Sequence, residues 1–329
     1  GDLRWTANPP HPEGTDRWEH LLVANFRGEG ERDLLLQTTN NQGYRVGHHL
    51  AAYALESLQS GDTTPLWQRA DFTTCAHNGA RVADLDGDGR DEVLGGTMVS
   101  HVGEFLTMIP LRGHIDSIFV YDVRPDLPGL EVVALEEGGS TKEAGGNRIF
   151  LYNAASLIWE THYEHQEPQN ATVGDFDPER PGLEIWSRSR YNTGQKPWVH
   201  DAQGELVTHY ALDAVKPESW TNAGVEIINA IDWTGGTKQL AAATERHTVG
   251  DICIFDPMTG EFVARFAEKA HRLLVADVSG DWREEMIVWS GNQIMIYHNA
   301  EPNPRPDHPR LWEQRHYRQS KLTYNYYSP

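Results

Sequence analysis

Short apolar runs alternate with polar turns along the whole chain, and the alternation repeats. Each copy has a run ending in Asp or Asn, a polar turn, and an acidic residue leading into a second apolar run. Six copies follow one another: LLVANFRGEGERDLLLQ from Leu21, ARVADLDGDGRDEVLGG from Ala80, IFVYDVRPDLPGLEVVAL from Ile118, TVGDFDPERPGLEIWS from Thr172, EIINAIDWTGGTKQLAAA from Glu226 and LLVADVSGDWREEMIVW from Leu273. Their anchor residues, Asn25, Asp84, Asp122, Asp175, Asp232 and Asp277, are 59, 38, 53, 57 and 45 residues apart. The runs are rich in Val, Ile and Leu and bounded by Gly, Pro and Asp, which predicts β-strands. Most copies go on to a third run, such as RIFLYN at Arg148 or QIMIYH at Gln293. A fourth often follows, such as LIWETHY at Leu157 or FVARFA at Phe262. No long amphipathic helical pattern is present.

Four short strands per roughly 50 residues, repeated along the chain, are the arithmetic of a β-propeller. The expectation is an all-β fold, one domain over residues 1–329, with six blades. A seventh would follow if the segment from Leu311 contributed to another blade. LRWTA at Leu3 resembles the fourth-strand segments, and the last full copy reaches only its third strand near Tyr297. The N-terminus is therefore expected to supply that outer strand, close the ring and cover a sheet edge.

The turn inside each repeat carries candidate metal chemistry. In the second copy Asp84, Asp86 and Asp88 alternate with Leu85 and Gly87, and Gly89, Arg90 and Glu92 complete the loop. Alternating carboxylates put several hard oxygens on one side of a tight loop, and calcium takes about six to eight such oxygens. Calcium is the cofactor expected here, and a solvated acidic turn that starts a strand is the bland alternative. Weaker frames are Asp122, Asp126 and Glu131; Asp175, Asp177 and Glu184; and Asp277, Asp281 and Glu284. The first copy offers only Asn25, Glu29 and Asp33, and the fifth keeps Asp232 alone.

Positions shared by all copies hold the fold, so a binding site is sought among polar positions that differ between copies. The residues just before each first strand lie at one mouth of a propeller. They are Arg17 and His20, His77 and Asn78, His114 and Asp116, Gln169 and Asn170, Asn222, and Lys269, His271 and Arg272. The expected set is Lys269, His114 and His77 as proton-transfer groups, with Asp116, Asn170, Asn222, His271, Arg272, Arg17 and His20 binding substrate. Surface loop side chains are the alternative for each residue taken singly. Histidines, cations and amides converging on one rim suit an anionic, hydrogen-bonding ligand such as a uronic-acid sugar. Exposed tryptophans among the 11 would add stacking surfaces.

Charge sharpens that contrast. The chain of 329 residues has 28 Lys and Arg against 48 Asp and Glu, a formal net charge of −20. It has no basic run to release counterions from nucleic acid, so DNA and RNA are not expected partners. No apolar stretch approaches the roughly 18 residues of a membrane helix, so no membrane partner is expected. The chain is expected to be a monomer, secreted or periplasmic. Cys75 and Cys253 form no metal pattern and leave one pairing open; two small buried thiols are the simpler reading.

Three stretches carry a resemblance: GHIDSIFVYDVRPDLPGLEV at Gly113, GDFDPERPGLEIW at Gly174 and ADVSGDWREEMIVW at Ala276, joined by the terminal HYRQSKLTYNYYSP. From about Ala76 onward the chain resembles the bacterial rhamnogalacturonan lyases of polysaccharide lyase family 11. The resemblance implies a calcium-dependent β-propeller that cleaves a pectic backbone at rhamnose–galacturonate linkages by β-elimination. On it, His114 and Asp116 fall on a Gly-His-x-Asp segment, and Lys269 falls at a lysine shortly before GDWREE. Asn170 stands where the family pattern has an arginine, and the chain is shorter than the family's enzymes. Two other classes remain open at this point. One is a glycoside hydrolase using Asp116 with Glu167 or Glu136. The other is a non-catalytic propeller that binds glycans or proteins.

Overall fold

The computed structural model describes residues 2–15, 17–38, 49–71, 80–111, 114–137, 148–162, 168–189, 196–218, 220, 225, 227–244 and 250–322. For His114, Glu137, His162, residues 168–170, Ser189, Glu268, Lys269 and Leu322 it describes the backbone only. Strands dominate, in six antiparallel sheets taken in chain order. Five sheets have four strands and the sixth has three.

Each sheet begins with a strand that ends at an anchor residue or just before it. These first strands are Trp18–Ala24, Arg81–Ala83, His114–Tyr121, Pro168–Gly174, Ile227–Ile231 and Arg272–Ala276. The period-2 alternation of apolar residues gives each sheet two apolar faces, and neighbouring sheets bury those faces against each other. Leu22, Ala24 and Leu35 of the first sheet meet Val82 and Val93 of the second. Leu94 and Met98 of the second meet Ile118 and Val132 of the third. Leu135 and Leu151 meet Ala171 and Ile185, and Trp186 and Val199 meet Ala241 and Phe255. Ile252 and Ile254 of the fifth meet Val275 and Val288 of the sixth.

The two ends of this series are open. Trp289, Ile294 (73% exposed) and Ile296 lie bare on the outer face of the sixth sheet, and Leu21 (59% exposed) and Val23 on that of the first. Among the described residues no apolar cluster joins the first sheet to the sixth. The N-terminal expectation fails: residues 2–15 and 17 form no strand, and the sixth sheet ends at Gln293–Tyr297. Ala7 and Trp18 instead pack over Leu34, Leu36 and Tyr53 of the first sheet, and Trp18 Nε1 donates to Pro9 O at 2.9 Å. The described part of the segment from Leu311, residues 311–322, makes no further blade. It forms a 3-10 turn, Leu311–Glu313, and a helix, Arg315–Leu322.

The Pro-Gly turns of the third and fourth copies have a local cause. Leu130 N donates to Leu85 O at 2.7 Å, and Leu183 N to Val123 O at 3.1 Å, so each turn presses onto the preceding sheet. Gly129 and Gly182 sit at φ of 86° and 89°, where a Cβ would stand 2.3 Å from Leu85 O and 2.4 Å from Val123 O. Only glycine tolerates both the left-handed backbone and that approach.

Candidate functional site

Every sheet has two chemically different ends. The anchor loops lie at one. At the other, each first strand begins, and there the sequence places the polar residues that vary between copies. The C-terminal helix shows that the loop ends converge. About 12 Å long, it reaches Glu31 of the first sheet, Asp91 of the second, Tyr121 of the third and Glu284 of the sixth. One short helix can touch four sheets only if the series curls around an axis. The first strands then form the inner wall. Arg81, Ile118, Val120, Asn229 and Leu274 line a cavity of about 90 Å³ beside that helix.

At the opposite rim the expected site residues come to the same end of neighbouring strands. Arg17 is exposed just ahead of the first strand, and His20 is half-buried within it. The backbone of His114 opens the third first strand, and that of Asn170 lies near the start of the fourth. The Lys269 backbone is near the end of the outer strand Phe262–Ala270, immediately before His271 and Arg272. His271 and Arg272 are exposed; His271 Nδ1 accepts from Gly291 N at 3.2 Å, and Arg272 Nη1 donates to His271 O at 2.8 Å. His77, Asn78, Asn222 and Cys75 lie outside the described residues, as do the side chains of His114, Gln169, Asn170 and Lys269. Cys253 is a buried free thiol.

Asp116 is 1% exposed and sits in the wall behind the rim. Sequence reading also missed three buried arginines near this end: Arg81, Arg148 and Arg188. Arg148 Nε donates to the buried Glu136 at 2.5 Å, Nη1 to Glu160 at 2.5 Å and Nη2 to Pro110 O at 2.6 Å. Glu136 pairs in register with Ile115, next to His114. The network therefore ties Glu136 to the segment on which His114 is carried. Arg188 lies opposite Asn170 in the ladder and donates to Val225 O at 3.2 Å. An arginine opening an otherwise apolar strand, as Arg81 and Arg148 do, was the available signal.

The anchor loops form a graded series. In the second, ligand atoms of Asp84, Asp86 and Asp88 all lie within 4.8 Å of one another. Asp84 Oδ1 accepts from Gly87 N at 2.9 Å, and its Oδ2 from Gly89 N at 3.0 Å. Glu92 closes the loop, accepting from Leu85 N at 3.0 Å. Burial, then the three nearby carboxylates, pushes Glu92 up to about 7. Arg90 turns its side chain toward Asp88 at 3.6 Å and His101, so it offers no side-chain ligand.

In the fourth loop Glu184 accepts from Phe176 N and Asp177 N at 2.9 and 2.8 Å and is likewise pushed up to about 7, chiefly by burial. Asp175 Oδ1 and Glu184 Oε1 there are buried without a hydrogen-bond partner, as is Glu131 Oε1 in the third loop. Asp122 is exposed, and Asp126 is engaged by Arg124 at 2.7 Å.

Two loops are held together differently. In the sixth, Val278 N and Ser279 N donate to Glu285 at 2.7 and 3.0 Å, so Glu285 closes it in the way Glu92 does. Glu284 instead accepts from Asp232 N at 3.1 Å and Tyr317 OH at 2.8 Å. Asp277 stays in the loop, accepting from Gly280 N at 2.9 Å, and Asp281 is paired with Arg283 at 2.6 Å. In the first, the Arg27 guanidinium ties the loop to the following helix, bonding Asp33 at 2.7 Å and Glu56 at 2.5 Å.

The profile of rhamnogalacturonan lyase family 11, C-terminal domain, matches residues 21–326. The chain belongs to that family. It is 28% identical over 304 residues to the rhamnogalacturonan endolyase YesW of Bacillus subtilis (strain 168), covering 87% of this chain and 44% of YesW. The rhamnogalacturonan exolyase YesX of the same organism is 26% identical over 288 residues, covering 83% of this chain and 44% of YesX. The crystal structure of YesX superposes with a TM-score of 0.70 at 22% identity, over 95% of this chain and 52% of that one. The chain thus spans about half the length of these relatives.

Proposed function

We propose that this chain carries the centre of a polysaccharide lyase that cleaves a uronate-containing, rhamnogalacturonan-like backbone by β-elimination, on a propeller scaffold whose blades are the six sheets. The family match over residues 21–326 carries the reading. The polymer lies across the rim opposite the anchor loops. There Arg272 and His271, with Arg17, His20, Asn170 and Asn222, meet its carboxylates and hydroxyls. Neutralising the uronate carboxylate acidifies the C5 proton, because the charge that develops on proton loss is enolate-like. A basic group among Lys269, His114 and His77 takes that proton, and another protonates the departing oxygen as the C4–O bond breaks. The product has a new double bond in the uronate ring. The reading implies a protein working outside the cytoplasm, where such polymers are met.

Calcium fits the second and fourth loops, because orphaned buried oxygens and crowded carboxylates there call for a cation. Asp84, Asp86, Asp88 and Glu92 would hold one ion, and Asp175, Asp177 and Glu184 another. The Glu131 and Asp277 loops are the next best. These ions would fix the turn between the first and second strands. The strand His114–Tyr121 has 8 residues and spans about 25 Å, so an ion at its anchor end is out of reach of the rim.

The test is incubation with rhamnogalacturonan and other acidic glycans, with calcium supplied. Products that absorb in the ultraviolet and weigh one water less than hydrolysis products support elimination. Saturated products would make it a hydrolase, and binding without turnover a glycan-binding module.

A further inference from the structure

Adjacent sheets are stitched at the anchor loops by a recurring pair of hydrogen bonds. A backbone N–H of each sheet, one residue before its second strand's closing position, donates to the anchor carbonyl of the preceding sheet or to the carbonyl after it. The pairs are Asp91 N to Asn25 O, Leu130 N to Leu85 O, Leu183 N to Val123 O, Gln239 N to Asp175 O and Glu284 N to Asp232 O, at 2.7–3.1 Å. In three junctions the same incoming residue also accepts from the anchor N–H through its side chain: Asp91 from Asn25, Gln239 from Asp175 and Glu284 from Asp232.

Among the described residues no further sheet meets the sixth anchor, yet its groups are not left bare. Trp312 Nε1 donates to Asp277 O, and Asp277 N donates to Tyr317 OH at 2.8 Å. Two side chains of the C-terminal segment thus take the two bonds that a next sheet takes elsewhere. From there the helix crosses the hub. Tyr317 OH donates to Glu284 at 2.8 Å, while Arg315 Nη2 bonds the fully buried Asp91 at 2.6 Å and Gln319 Nε2 bonds it at 3.0 Å. Arg318 lies 3.7 Å from Glu31.

We propose that residues 311–322 are a clasp that imitates the missing stitch of the sixth sheet and ties the last sheet to the first two. Its position beside the inner strands makes it the floor of the hub, so a polymer is admitted at the opposite rim and does not thread through.

Backbone hydrogen exchange of the full chain with calcium supplied tests the clasp. In Tyr317→Phe, which keeps the ring against Trp312, the Asp277 amide is expected to exchange at least tenfold faster, with the Asp175 amide unchanged. Arg315→Gln should speed exchange in both the first and sixth anchor loops, because the tie is between them. Unchanged Asp277 exchange in Tyr317→Phe would overturn the proposal. So would an Arg315→Gln effect confined to the second sheet. Should Tyr317→Phe fail to fold, Trp312→Phe, which removes the Nε1 donor to Asp277 O along with part of the indole, should speed exchange in the sixth anchor loop, and unchanged exchange there would overturn the proposal.

Discussion

Removing divalent cations should make stability depend on pH in a direction opposite to ordinary acid denaturation. The perturbation is chelation, and the groups that report it are Glu92 and Glu184. In the metal-free fold each is raised from 4.5 to about 7, first by burial and then by neighbouring aspartates. Between those values the folded chain holds protons that the unfolded chain has released, so stability falls as pH rises and the full penalty is reached above pH 7. A rise of that size corresponds to about 3 kcal/mol per group, cut to about 2 by water reaching the loop. Two loops together make about 4 kcal/mol, or roughly 6 °C in Tm for a chain of this size. The assay is thermal unfolding at pH 5 and pH 8, in chelator and in calcium. The chelated protein should melt lower at pH 8, and calcium should remove the difference. Glu92→Gln with Glu184→Gln should flatten the chelated profile and abolish most of the calcium effect. Equal melting in chelator at both pH values would refute the reasoning.

Other expectations follow from single contacts. Lys269→Ala and His114→Ala should each lower the rate of unsaturated product by about 100-fold or more, measured by ultraviolet absorbance, with unchanged melting. Gly129→Ala and Gly182→Ala should each destabilise by about 3 kcal/mol, seen as a lower denaturation midpoint, because a neighbouring carbonyl occupies the methyl's place. Arg27→Ala should cost about 3 kcal/mol by leaving the buried Asp33 uncompensated, and added calcium should restore part of the loss. If calcium makes no difference there, the guanidinium is not standing in for an ion.

The repeat was legible because each sheet buries two apolar faces and each loop must turn in the same way. That made six sheets and six anchors readable from Val, Ile, Leu and Asp alone. What escaped depends on neighbours that periodicity cannot show. Glu284 and Glu285 are adjacent and chemically alike. Only register against the loop amides decides that Glu285 closes the turn while Glu284 reaches the fifth sheet and the C-terminal helix. LRWTA has strand-like composition, but residues 2–15 and 17 form no strand and Ala7 packs over the first sheet. An eight-residue helix is too brief to announce itself by period, and its partners lie more than 200 positions away at Asp91. At the rim, sequence found the exposed His271 and Arg272 and overlooked Arg148, because a buried ion network leaves no repeat.

The spacing of about 25 Å between anchor loops and rim has an evolutionary reading. Side chains at the rim can drift without loosening the frame, and a loop can be tied by an arginine, as Arg27 ties the first one, without altering the rim. A scaffold partitioned in this way can be retuned by changing one edge while the other keeps the sheets in step.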